Sequence, residues 1–348
     1  MFQKRLKPLN RIEIERKVIL ENFAKYNKIG KAVWPVMKSN AYGIGLEQAV
    51  EILDKNRFEY WIVDSYMEAL RIWKKSEKRV LLIGSMLTEN YKLLDFNRLV
   101  LMVQNNEELI ELGKLGKKVK VHLKINSGMN RQGWEVEELP GVLKLLKNYK
   151  NIEVDGVMSH LADANDKTMT GKQEERFSES VEILKNGGVN PKWVHLGATY
   201  GVDKTVNPQI NAVRLGLGLY RNSIRLMSTI VKVRLVKKGE KVSYGMTFEA
   251  EKDGYLGLIP VGYFEGLDRK LSNSGKIKYK GSFYTIAGRV CMNMCVIDFG
   301  KTKPKLYDEV EVIGKKGENS FESLASKCQT IDYEMMVRLN GSIRREII

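Results

Sequence analysis

From about residue 10 the chain alternates between two hydrophobic patterns. Apolar residues recur at helical spacing over 13–28, 46–55, 107–115 and 173–185. Between these segments run short strand-like stretches, apolar or alternating, at 32–37, 60–63, 80–83, 99–103, 119–125, 152–158, 193–196 and 212–215. Runs of that kind suit parallel strands buried on both faces beneath helices. Eight strands in about 200 residues match a (β/α)8 barrel, with a doubly wound open sheet as the alternative.

The pattern changes after about residue 225. Short alternating or apolar segments at 229–236, 242–249, 255–260, 276–279, 284–287, 290–298 and 309–313 are separated by turns such as Lys238-Gly239, Asp253-Gly254 and Lys280-Gly281. These predict a compact β domain. The expected fold class is therefore α/β: a (β/α)8 TIM barrel over 8–225, followed by an all-β C-terminal domain over 226–348 that residues 1–7 can join.

Composition narrows the class. In 348 residues, 43% hydrophobic content exceeds what a disordered or collagen-like chain carries. No apolar run is long enough to span a bilayer, and the start MFQKRLKPLNR lacks a signal core, so no membrane partner is expected. Cys291, Cys295 and Cys328 are too few and too clustered for a disulfide framework, which predicts a cytoplasmic home. The net charge is +16, from 58 Lys and Arg against 42 Asp and Glu. The basic pairs, Lys74-Lys75, Lys117-Lys118, Lys237-Lys238 and Lys315-Lys316, are scattered, without an aromatic-plus-basic RNA motif. The balance predicts a basic solvated surface that attracts small anions, and no nucleic-acid partner.

Barrel enzymes carry their chemistry at the C-terminal ends of the strands. Lys38 closes the first strand, before the turn Ser39-Asn40-Ala41-Tyr42-Gly43-Ile44-Gly45. By position it is either a surface lysine or one that is paired, neutral or covalently used. Alternation through 119–125 places His122 and Lys124 together, facing into the barrel. Arg131 follows a Gly-containing turn, so two neighbouring inward cations would repel unless an anion or a modification intervenes. The three histidines of the chain, His122, His160 and His195, all fall near strand ends. Their spacing matches no HxH or HExxH pattern, so no metal is expected and His122 reads as a structural histidine. Arg214 ends the last strand before Leu215-Gly216-Leu217-Gly218, a Gly turn of the kind that binds phosphate. Cys291 and Cys295 read as buried thiols.

In order along the chain, several stretches together resemble alanine racemases. They are Val36-Met37-Lys38-Ser39-Asn40-Ala41-Tyr42-Gly43, the segment from Lys124 to Arg131, Ser159-His160, the segment from Arg214 to Tyr220, Val242-Ser243-Tyr244-Gly245, Pro260-Val261-Gly262-Tyr263, Gly288-Arg289-Val290-Cys291-Met292 and Asp332-Tyr333-Glu334. The resemblance implies a pyridoxal 5'-phosphate enzyme that interconverts L- and D-alanine, and a homodimer with shared active sites. It implies that Lys38 holds the cofactor as a Schiff base and serves as base on one face of the substrate. Tyr244 from the partner subunit would be the base on the other face, with His160 and Arg214 in a network around it and the cofactor ring. Tyr42, Thr199, Gly216, Leu217 and Tyr333 would surround the cofactor phosphate. Arg131 would bind the substrate carboxylate, Met292 would offer its backbone amide to it, and Tyr263 would narrow the entrance. Lys124 resembles the lysine that many members carbamylate.

The chain departs from the common pattern at Ile44, Asn126, Ser127, Ala198, Leu215 and Asn293, none of them a proposed base. The rival readings are a serine or broad-specificity racemase, an amino-acid decarboxylase of the same architecture, a single-domain cofactor carrier, and a basic nucleic-acid-binding protein.

Overall fold

The computed structural model describes residues 6–202, 204 and 207–348. Residues 1–5, most of the stretch expected to be able to join the second domain, lie outside the described residues. The chain divides into two compact units, one of Leu20–Ala41 with Ala49–Leu219, the other of Met1–Ile19, Tyr42–Gln48 and Tyr220–Ile348.

The first unit holds an eight-stranded parallel sheet among the described residues. In spatial order it runs Ala32–Pro35, Ala212–Leu215, Trp193–His195, Ile152–Met158, Val119–Lys124, Leu99–Val103, Arg79–Leu82 and Tyr60–Val63. A parallel bridge between Val36 and Ile62, with the Met37 N–H donating to the Ile62 carbonyl at 2.7 Å, links the last strand to the first. The sheet is thus a nearly closed barrel and not an open doubly wound sheet. Each strand lies within two residues of its expected position because burial of the barrel strands leaves short runs rich in apolar residues; Tyr60–Val63 is buried throughout.

Polar residues start several of the outer helices. Ser65, Asn105 and Asp166 cap Tyr66–Ile72, Asn106–Lys114 and Lys167–Asn186 by accepting from the N–H of Glu68, Glu108 and Met169. The last of these helices begins six residues before its apolar periodicity does, because its first turns bury Thr170, Gln173 and Glu174 instead of apolar side chains.

The second unit is built on a nine-stranded sheet among the described residues. Its order is Lys232–Val236, Gly254–Ile259, Cys295–Gly300, Ser282–Ala287, Lys276–Tyr279, Glu309–Ile313, Ile224–Thr229, Arg11–Ile14 and Arg344–Ile347. The sequence reading misses the strands Ile224–Thr229 and Arg11–Ile14 of this sheet. Residues 11–14 fall in the stretch assigned to the barrel, yet they pair antiparallel with Ile224–Thr229 and parallel with Arg344–Ile347. Four residues are too few to show a period. Only the partner strands exploit the alternation that buries Ile12 and Ile14, while Glu13 is held by ion pairs from Arg11 and Arg225. Two helices, Phe321–Cys328 and Asp332–Val337, accompany the strands.

Candidate active site

Lys38 lies three residues beyond the first barrel strand, Ala32–Pro35, and is half-buried. The next four residues, Ser39, Asn40, Ala41 and Tyr42, all have positive φ, between 52° and 56°. Each such L-residue costs roughly 1–2 kcal/mol, so a run of four must be held in place. Glu68 supplies part of the hold, its two carboxylate oxygens accepting from the N–H of Ser39 at 2.8 Å and of Asp64 at 2.9 Å. Arg71 donates to the Asn40 side-chain oxygen at 3.2 Å. Sequence reading gives a turn at this place; the left-handed winding and the Glu68 clamp depend on a neighbouring strand–helix junction and leave no local signal.

Lys124 ends the strand Val119–Lys124 and is buried. Burial first, then the charges of Arg214 and Arg131, push its amine well below the ordinary lysine range. Arg131 is exposed, at the end of a loop organised by Asn126, whose side-chain oxygen accepts from the N–H of Gly128 and of Asn130. His160 sits two residues beyond Ile152–Met158. Burial, followed by the charges of Arg214, Lys124, Arg131 and Lys38, pushes its imidazole down to about 3. Arg214, Lys124, Arg131 and Lys38 thus all act electrostatically on His160, and Arg214 also bonds to it.

Arg214 is buried in the last strand. It donates to the carbonyls of Ser159 (2.7 Å), His195 (3.2 Å) and Leu196 (3.3 Å). It also donates to Nδ1 of His195 at 2.5 Å and to Nδ1 of His160 at 3.2 Å. The Thr199 hydroxyl accepts from the Gly218 N–H at 3.0 Å, in the turn that contains Gly216 and Leu217. A Cβ on Gly218 would stand 2.7 Å from the Tyr26 hydroxyl and 2.8 Å from the Thr199 methyl, so only glycine leaves this turn its shape.

The second unit brings together the remaining expected residues in two groups. Tyr42 lies 6.1 Å from Tyr333 and 5.8 Å from Tyr220, measured between ring centres. Tyr220 is fully buried, and burial raises its phenol well above the usual range. Tyr244, Tyr263 and Met292 share an exposed apolar face with Met246, Phe264 and Met294. Backbone bonds hold that face together: the N–H groups of Tyr263 and Phe264 donate to the carbonyls of Cys291 and Met292, and the Ser243 hydroxyl donates to the Arg289 carbonyl. Tyr244 itself is 75% exposed. Of the two cysteines near this face, Cys295 is buried as expected and Cys291 is half-buried.

Sequence reading did not single out Asp155, which lies within the strand Ile152–Met158 and bonds to His122 and Tyr60. A signal was present. Glu153 and Asp155 alternate along this strand as Lys120 and His122 do along its neighbour.

A nearly closed parallel barrel with a lysine, a buried arginine and a histidine near the C-terminal ends of its strands has the layout of a barrel enzyme. Its family follows from likeness to known proteins. The chain belongs to the alanine racemase family: residues 14–223 match the alanine racemase N-terminal domain and residues 223–347 the alanine racemase C-terminal domain. Among curated relatives, an alanine racemase of Borreliella burgdorferi (strain ZS7) is 30% identical over 346 residues, covering 92% of each chain. One from Aquifex pyrophilus is 30% identical over 352 residues, covering 97% of this chain and 98% of its own. Among solved structures, alanine racemase from E. faecalis superposes with a TM-score of 0.90 at 26% identity, covering 98% of both chains. That of Clostridium difficile 630 shares the fold with a TM-score of 0.93, covering 99% of this chain and 97% of its own, at 24% identity.

Proposed function

We propose that this protein interconverts L- and D-alanine, using pyridoxal 5'-phosphate, as a homodimer whose active sites each draw on both subunits. The observation that carries the reading is the buried Arg214 at the end of the last barrel strand, which donates to Nδ1 of both His160 and His195, with Lys38, Lys124 and Arg131 close enough to act on the same histidine. Positive charge concentrated at a barrel mouth suits a phosphate-bearing cofactor and an amino-acid carboxylate. The glycine-only turn at Gly218, tied to Thr199, fits a phosphate approached by backbone amides. When bound, the pyridoxal ring draws electrons from the substrate Cα and makes its proton removable.

The chain's own residues then divide the work. Lys38 anchors the cofactor and exchanges a proton on one face of Cα. Tyr244 of the partner subunit does so on the opposite face, which requires cationic neighbours to bring a phenol into the working range. Arg214 donates hydrogen bonds and stays protonated, so it has no proton to lend to the ring nitrogen. His160 accepts from Arg214 through Nδ1, which leaves its proton on Nε2. Tyr42, Thr199, Gly216, Leu217 and Tyr333 hold the phosphate. Arg131 and the Met292 amide take the substrate carboxylate, and Tyr263 limits the entrance to small side chains. Burial and the cationic neighbours of Lys124 favour its neutral amine, the form that attacks carbon dioxide; the carbamate, formed with release of a proton, would place an anion beside Arg131.

The exposed apolar face around Tyr244 supports a subunit interface, since six large apolar side chains on one face are costly to leave in water. Among the described residues, no helix is long and apolar enough to cross a membrane, and the three cysteines are free. We place the enzyme in the cytoplasm.

A chiral assay over a panel of L-amino acids, with added cofactor and with Lys38→Ala as control, tests the function. Conversion of alanine abolished by Lys38→Ala supports it. Preferential conversion of serine would assign a related racemase, carbon dioxide release a decarboxylase, and no turnover of any member would overturn the reading.

A further inference from the structure

Beneath the active-site residues a line of buried polar groups runs along the barrel interior. Nη1 of Arg214 lies 2.5 Å from Nδ1 of His195. Nε2 of His195 lies 2.7 Å from Nδ1 of His122, and Nε2 of His122 lies 3.4 Å from Oδ2 of Asp155. Asp155 is buried and held from two further sides, by the Tyr60 hydroxyl at 2.6 Å and by Nζ of Lys120 at 3.3 Å.

The direction of every bond in this line follows from its ends. A guanidinium only donates, so Nδ1 of His195 accepts. An ionised carboxylate only accepts, so Nε2 of His122 donates. Both rings are fully buried, and burial keeps both neutral. Each neutral ring has one N–H, so both must carry it on Nε2, and Nε2 of His195 donates to Nδ1 of His122. The two ends differ in firmness. Nη1 of Arg214 has a second acceptor close by, the His195 carbonyl at 3.2 Å, and can shift to it. Asp155 is fixed by Tyr60 and Lys120, and the His122 ring is confined: a Cβ on Gly156 would lie 2.6 Å from two of its atoms.

We propose that Asp155 is a positioning residue for Arg214, acting through His122 and His195, whose tautomers it fixes so that Nδ1 of His195 keeps its lone pair toward the guanidinium. Hydrogen bonds run one way along the line, from Arg214 to Asp155, and the buried carboxylate offsets the buried guanidinium across two neutral rings. The proposal rests on the preceding reading only for the role of Arg214 at the cofactor; the tautomers belong to the chain itself.

Three histidines make the test direct. In protein labelled with 15N-histidine, His122 and His195 are expected as neutral Nε2–H tautomers from about pH 6 to 9. Either ring found as Nδ1–H, or as imidazolium, overturns the proposal. Asp155→Leu, which removes the acceptor, is expected to give mixed tautomers at both rings. It should also lower kcat about tenfold with little change in KM, the size of effect usual for a group acting through another. Asp155→Asn keeps an acceptor oxygen and should restore the tautomers and most of kcat. Should Asp155→Leu lower only the melting temperature, leaving tautomers and kcat as in the parent, Asp155 is a packing residue and the proposal fails. If Asp155→Leu does not fold, the parent spectrum and Asp155→Asn decide: Asp155→Asn with lost tautomer order in an otherwise intact fold also counts against it. Failure of the parent to racemise alanine would overturn the assigned function and leave the tautomer result standing.

Discussion

Gly43 lies so close to Met336 that a Cβ built on it would overlap the Met336 carbonyl oxygen. This approach joins the turn that carries Tyr42 to the helix Asp332–Val337 that carries Tyr333, the two tyrosines assigned to the cofactor phosphate. Gly43 also has a φ of +83°. Gly43→Ala therefore meets both backbone strain and overlap with a main-chain atom, and should cost at least about 2 kcal/mol of stability. Urea unfolding measures it. A loss below about 1 kcal/mol would show that the helix can retreat without penalty.

Acid should weaken the fold through its histidines. The imidazoles of His122, His160 and His195 are all pushed below their ordinary range by burial, His160 to about 3. Below about pH 6.5 the unfolded chain binds these protons before the folded chain does, so stability is full above that pH and falls as pH drops, for His160 down to about pH 3. At pH 5 His160 alone should contribute a slope of about 1.4 kcal/mol per pH unit, and His122 and His195 add to it in the same direction. His160→Gln should reduce the slope by about 1.4 kcal/mol per pH unit. Denaturation midpoints at several pH values read it, and an unchanged slope in that variant would contradict a neutral His160.

The proposed sharing of active sites between subunits predicts complementation. Lys38→Ala and Tyr244→Phe should each be inactive alone, the second by about a hundredfold or more. Co-expressed, they form mixed dimers in which one site has both bases, so activity should return to about a quarter of the parent level. Activity that stays at background in verified mixed dimers would place Lys38 and Tyr244 of one site in the same subunit.

Lys124 should bind carbon dioxide reversibly. In 13C-bicarbonate the protein is expected to show a carbamate resonance that Lys124→Arg abolishes, because a guanidinium does not become the neutral nucleophile that Lys124 is. A parent protein without that resonance retains a free amine beside Arg131, and the cationic mouth would then be balanced by bound anions.

The eight barrel strands and the ends near which Lys38, Lys124 and Arg214 sit were legible in the sequence, because short apolar or alternating runs between helical segments mark buried strands and a polar residue near the end of one stands out. The alternation that turns His122 and Lys124 inward was legible for the same reason. The strand Arg11–Ile14 was not, since four residues gain their place only from Ile224–Thr229 and Arg344–Ile347, more than two hundred residues away in the chain. Nor was the left-handed run after Lys38, whose strain is offset by Glu68 from another element. The line from Arg214 to Asp155 lay in plain view as single letters, an arginine, two histidines and an aspartate scattered over four strands. Neighbouring strands and the closed barrel set them in file, and only distances between nitrogens and oxygens could give that file a direction. Local order along a chain fixes which residues are apolar and which are charged; which charges meet is settled by the packing of segments that the chain itself keeps far apart.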